Sequence, residues 1–301
     1  MPRFLLPLAL SLALALPAAA SPLRVVSSIE TLGSLAREVG GDRIRVESLS
    51  HGYQDPHFVE AKPSLMLTLN RADLLLHVGL ELEVGWLPPL VIGSRNAKIQ
   101  PGEPGNLDCS EAIPLLDVPV TKVDRSMGDV HPMGNPHYWL PPENAKRIAR
   151  LVATRLEQLD PEGRDAYESH LAAFVARADA KAKQWAARLA HLRGANVATY
   201  HKSWSYVSQW LGLAEVGYVE PKPGIPPDPA HLAQLIGVMR KSGARLLFVE
   251  SFYNRATAQL VADKAGSRLV VLPTDVGATG EIKTWFELID ELVRQLSAMP
   301  A

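Results

Sequence analysis

The sequence predicts an α/β protein in which two doubly wound lobes are bridged by one long rigid helix. Three observations carry this expectation. Short apolar runs alternate with helical periodicity on both sides of the chain's middle, the pattern of parallel sheets covered by helices. Between the two halves, residues 160–194 read as a single uninterrupted helix. The chain is 301 residues long and 47% apolar, enough for two separate cores.

The bridging stretch has a start, a stripe and a stop. Asp160 is a suitable N-cap, Pro161 fits the first helical position, and Gly194 is placed to end the helix in a left-handed conformation. Tyr167, Leu171, Phe174, Ala178, Ala182, Trp185, Leu189 and Leu192 recur at spacings of three and four, one apolar stripe. Such a helix would be roughly 45–50 Å long, more than one small domain needs. The competing arrangement folds it back on a single core. The expected boundaries are an N-terminal lobe over 21–160, the linking helix over 161–194, and a C-terminal lobe over 195–301.

Residues 1–20 stand apart. Arg3 gives a short basic start, Phe4 to Pro17 is almost wholly apolar, and Ala18-Ala19-Ala20 supplies a small-residue cleavage site. This is the layout of a secretory signal peptide, too short and wrongly flanked for a membrane span. The expectation is a mature chain beginning at Ser21, free in the periplasm, with no cysteine at its start to take a lipid anchor.

In the first half, 23–28 reads as a buried strand, Glu30 to Gly40 as a helix, and Ile44 to Leu49 as an alternating strand. A loop, HGYQDPH, follows. Then come a helix over Pro63 to Ala72 and a strand over Asp73 to Val78. Proline and glycine crowd residues 88–119 and blur the elements there, before a helix opens at Pro141-Pro142 and runs to Leu159. In the second half, the strands are Asn196 to Tyr200, Leu213 to Glu220, Arg245 to Glu250 and Arg268 to Leu272. The helices are Ser203 to Leu211, Asp228 to Ser242, Asn254 to Ala265 and Lys283 to Leu296. RLLFVE is a continuous apolar run of parallel-sheet type.

A formal charge of −1 without a basic cluster speaks against a nucleic-acid surface. The single cysteine, Cys109, cannot form an internal disulfide and reads as a structural thiol. Chemistry gathers instead on four residues. His57 lies in the loop after the second strand, and His137 in the loop before the helix leading to the bridge. His201 follows the strand NVATY, and Asp275 follows RLVVLP. Ligands of open parallel sheets collect beyond the carboxyl ends of the strands. Two of these residues come from each lobe, so a metal site in the inter-lobe cleft is expected. Three imidazoles and a carboxylate suit a borderline divalent ion, zinc above all. Pro56 and Pro136 stiffen the two loops just ahead of their histidines.

DPHFVEAKPS at 55–64, NPHYWLPPENA at 135–145, TYHKSWSYVSQWLGL at 199–213 and VEPKPGIPPDPAHLAQLIGVMRKSGARLLFVES at 219–251 carry a resemblance. The chain resembles the periplasmic metal receptors of ABC-type zinc and manganese importers, over nearly all of its length after residue 23. The resemblance implies that His57, His137 and His201 bind the metal and that Asp275 completes the site. It further implies Zn2+ as the ion, with Mn2+ the alternative within the family. The partner would be an ABC-type permease in the inner membrane, the receptor a monomer and not an enzyme. One family feature is missing. Before the second ligand, zinc receptors often carry a long loop rich in histidine and acidic residues, whereas here only DRSMGDVHPMGNPH is present.

Among the other titratable groups, His131 reads as a solvated loop histidine or a remnant of that capture loop. His51 is equally ambiguous, and His77 reads as a core or cleft-wall residue. His170, His191 and His231 read as surface or capping groups. Glu60, Glu220 and Glu250 are candidates to support the ligands, and Glu220 competes with Asp275 as the fourth. A secreted zinc hydrolase would need an open coordination position and a nearby general base. A receptor for an organic ligand would need an apolar or arginine-lined cleft.

Overall fold

The computed structural model describes residues 21–121 and 130–300. The expected leader at 1–20 and its cleavage site lie outside them. Each lobe is built on a four-stranded parallel sheet. The first holds β1 (Leu23–Ser27), β2 (Ile44–Ser48), β3 (Leu74–His77) and β4 (Asn106–Asp108) in the order β2-β1-β3-β4. The second holds β5 (Asn196–Thr199), β6 (Ala214–Tyr218), β7 (Leu246–Glu250) and β8 (Arg268–Leu272) in the order β6-β5-β7-β8. The two sheets therefore share one winding, and all their carboxyl ends are available to carry loops into a common cleft.

Helices α1 (Glu30–Gly40), α2 (Pro63–Asn70), α3 (Leu87–Ser94) and α4 (Pro142–Leu159) belong to the first half. The second half carries α6 (Ser205–Leu211), α7 (Pro229–Ser242), α8 (Arg255–Ala265) and α9 (Trp285–Ser297). β4 and α3 are the elements that proline and glycine had blurred, each short because the punctuation leaves little room for more.

The bridging helix, α5, spans Arg164–Leu189, 26 residues, or about 39 Å of rise, with single 3₁₀ turns at 161–163 and 190–192. The predicted stripe is the buried one: Tyr167, Phe174, Ala178, Trp185 and Leu189 are covered, with Leu171 and Ala182 packed at its edges. Asp160 does not cap it. Its carboxylate instead accepts Arg43 Nε at 2.7 Å and Nη2 at 2.9 Å, with the Tyr167 hydroxyl at 2.6 Å. A bidentate guanidinium outcompetes a helix amide for the same oxygens. Gly194 does take the left-handed conformation, with φ 80°.

The bridge does not leave the lobes independent. Aromatic rings of α5 and α9 interlock, Phe174 with Trp285 at 5.8 Å and Trp185 with Trp285 at 5.7 Å between centroids. A capping box of Thr284 and Glu287 opens α9. The first amide of α9, on Trp285, donates to Ser34 Oγ of α1 at 2.9 Å, so the C-terminal helix also covers the first lobe. Nearby, the loop after β2 runs so close to the segment after β8 that a Cβ on Gly52 would lie 1.8 Å from the Val276 carbonyl oxygen. Cys109 is fully buried and free, and burial pushes its thiol pKa well up, in keeping with an inert structural thiol.

Candidate metal centre

The loop sequences DPH and NPH build the same device twice. Asp55 Oδ1 accepts the backbone amide of His57 at 3.0 Å and faces its ring Nδ1 at 2.7 Å. Asn135 Oδ1 accepts the backbone amide of His137 at 2.9 Å and faces its Nδ1 at 2.9 Å. In both, an Asx side chain hydrogen-bonds two residues on, and the intervening proline removes a backbone degree of freedom. The ring is thereby clamped by its Nδ1 side, and Nε2 is left to face inward. His201 reaches the same state from the other lobe: its Nδ1 lies 2.8 Å from Glu220 Oε2, at the end of β6.

The three rings converge. Centroids lie 5.2 Å apart for His57 and His137, 5.3 Å for His57 and His201, and 5.1 Å for His137 and His201. One ligand atom from each lies within 4.8 Å of the others. His137 is 6% exposed and His201 3%. The pocket around them is lined by Pro56, Trp139, Leu140, Phe252, Tyr253 and Thr274, so the donors sit in largely apolar walls. Further hydrogen bonds fix those walls: Trp86 Nε1 donates to the Pro56 carbonyl at 2.9 Å, and Trp139 Nε1 to the Thr274 carbonyl at 2.6 Å.

Burial sets the charge state. It pushes the His137 pKa well below 6.5, with His201, His57 and His131 adding to the depression. Burial also lowers His201, against the raising effect of Glu220. Burial works against the Asp55 anion, but the His57 hydrogen bond and charge prevail and hold its pKa below the usual value. His137 and His201 are thereby favoured as neutral imidazoles backed by oxygen acceptors, the form in which histidine binds metal.

Asp275 does not join the group. Its Oδ1 accepts the Thr31 amide at 2.7 Å, the Thr31 hydroxyl at 2.5 Å and the Val276 amide at 3.0 Å, and its Oδ2 accepts the Glu30 amide at 3.3 Å. The carboxyl is thus turned onto the first turn of α1, where amide donors and the helix dipole attract it. Burial pushes its pKa up to about 7 against those hydrogen bonds.

Glu220 supports His201 instead of entering the group of ligand atoms. Glu250 is buried beside the pocket, accepts Ser203 Oγ, and is pushed by burial up to about 8. Glu60 is exposed and pairs with Lys62 at 3.2 Å, away from the pocket. His51 stacks on Tyr53, and His77 Nε2 meets Asn106 Oδ1 at 2.9 Å. His170, His191 and His231 contact the carbonyls of Val39, Met299 and Tyr218. A further expectation is overturned. His131 is not a solvated loop residue: its Nε2 stands 3.3 Å from His57 Nε2, with the rings stacked at 5.4 Å. The only sequence signal was its place six residues before His137.

Comparisons with known proteins place the chain in a family. The high-affinity zinc uptake system protein ZnuA of Yersinia pestis is 25% identical over 305 residues, covering 96% of this chain and 94% of that protein. The manganese ABC transporter substrate-binding lipoprotein PsaA of Streptococcus pneumoniae is 27% identical over 235 residues, covering 76% and 72%. A solved structure described as the crystal structure of ZnuA superposes with a TM-score of 0.76 at 26% identity, covering 92% of this chain and 98% of that one. Residues 25–299 match the family described as zinc-uptake complex component A, periplasmic (ZnuA), and the chain belongs to it.

Proposed function

We propose that this protein is a periplasmic receptor that captures a divalent metal ion, zinc, and hands it to an ABC-type permease, with His57, His137 and His201 as metal ligands. The observation that carries the reading is the convergence of three buried rings, each with Nδ1 held by an oxygen of Asp55, Asn135 or Glu220. Neutral nitrogen donors in a pocket of this kind suit zinc. Manganese, the metal named for the pneumococcal relative, favours oxygen donors and higher coordination and binds a given site more weakly. Purified protein should therefore bind one zinc ion in a four-coordinate site that excess manganese does not displace. Isolation with six-coordinate manganese would sink the zinc assignment and leave the receptor assignment standing.

A pH titration tests the electrostatics. Metal and proton compete for the same nitrogens, so a lowered histidine pKa moves the competition to lower pH. An ordinary imidazole with a pKa near 6.5 costs about ten-fold in metal affinity at pH 5.5. Because His137 and His201 are lowered, this site should lose less affinity between pH 7.5 and 5.5 than the roughly 1,000-fold that three ordinary histidines would. Chelator competition across that range reads the difference, and a loss near 1,000-fold would contradict it.

A further inference from the structure

We infer that His131 supplies the fourth nitrogen of the metal site, making it an all-imidazole centre, while Asp275 stays on α1. The inference rests on the receptor reading above and adds the ligand that closes the coordination sphere.

Distance is the first argument. Nitrogen donors about 2.0–2.1 Å from a tetrahedral zinc lie about 3.3–3.4 Å from one another along the tetrahedron's edge. The Nε2 atoms of His57 and His131 are 3.3 Å apart, although His131 lies outside the group of atoms that are all within 4.8 Å of one another, so the metal would draw it in through His57.

Tautomers are the second. The Nδ1 of His57 faces the Asp55 carboxylate, an acceptor, so in the neutral ring the proton is on Nδ1 and Nε2 carries a lone pair. The backbone carbonyl of Leu80 is an acceptor beside the His131 ring and favours a proton on that side, away from His57. Two lone pairs then face each other at 3.3 Å with no hydrogen between them, an arrangement that a shared cation resolves.

The support behind His131 is the third. Leu80 and Glu81 are both held at positive φ, 53° and 65°, unusual for residues other than glycine. The turn that presents the Leu80 carbonyl is fixed by Glu83, whose carboxylate accepts the amides of Val78 at 2.7 Å and Gly79 at 3.1 Å. The Tyr138 hydroxyl, from the residue after His137, donates to the Val78 carbonyl at 2.5 Å. Local strain of this kind persists where the surroundings over-determine it, as at ligand clamps. Asp275, by contrast, already has its acceptor oxygens engaged by Thr31, Val276 and Glu30.

The test compares wild type with His131→Ala, His131→Gln and Asp275→Asn, and with His51→Ala as a surface control, each loaded with zinc or cobalt. X-ray absorption should count four imidazoles in wild type, Asp275→Asn and His51→Ala, and three in both His131 variants. Zinc affinity should fall more than ~10-fold in the His131 variants and change less than ~3-fold in Asp275→Asn. The cobalt spectrum should lose intensity as water or a fifth ligand enters the His131 variants. Should the His131 variants keep the wild-type imidazole count and affinity while Asp275→Asn loses affinity, the inference is overturned and the receptor reading survives. A wild-type protein that binds no zinc would take both down.

Discussion

His137→Ala should lower zinc affinity by well over 100-fold and leave the protein folded. Removing a residue that only orients a ligand costs about 10–100-fold, and His137 supplies a donor atom itself. Its ring lies 5.2 Å from His57, 5.1 Å from His201 and 6.0 Å from His131. Asn135, which clamps the ring, is itself engaged with Asp117 and Lys202 and is not free to replace it. Competition against a chromophoric chelator measures the loss, and circular dichroism checks the fold. A variant that holds zinc within ten-fold of wild type would remove His137 from the ligand set.

Trp285→Ala should cost about 3–5 kcal/mol, the range for deleting a large aromatic from a well-packed core. Trp285 is fully buried between α5 and α9, against Phe174, Trp185 and Phe286. Its indole Nε1 donates to the Trp139 carbonyl at 3.2 Å, and its amide holds Ser34. The change would therefore open a cavity and loosen the segment two residues beyond His137. With whole-domain stabilities of about 5–15 kcal/mol, that is a large share. Urea unfolding of the chelated protein reads it, and a cost below 1 kcal/mol would mean that the aromatic cluster collapses to fill the space.

The sequence disclosed what depends on local periodicity. Strand–helix alternation gave both sheets, the three-and-four spacing gave the buried face of α5, and the DPH and NPH tripeptides marked His57 and His137. What it could not disclose depends on partners far away in the chain. Asp160 looks like a cap until Arg43, 117 residues earlier, claims its carboxylate. Asp275 stands at a strand end as expected, but Thr31, 244 residues away, decides where its oxygens point. His131 looks solvated in a polar, glycine-containing loop, and only the folded chain brings it against His57. Position along a strand is a local property, whereas the direction of a polar side chain is settled by long-range competition among donors.

The hydrogen bond between Trp285 and Ser34 spans 251 residues and has a consequence for assembly. A chain made from its amino end completes β1 and α1 early, yet α9, the helix that shields part of α1, is made about 250 residues later. Until α9 arrives, the first half keeps an apolar face bare and its closing contact unmade. Such distant closures slow folding and leave partly built states exposed to aggregation. The nascent first lobe should accordingly be a client for holding chaperones, and acquisition of the native state should wait on synthesis of α9.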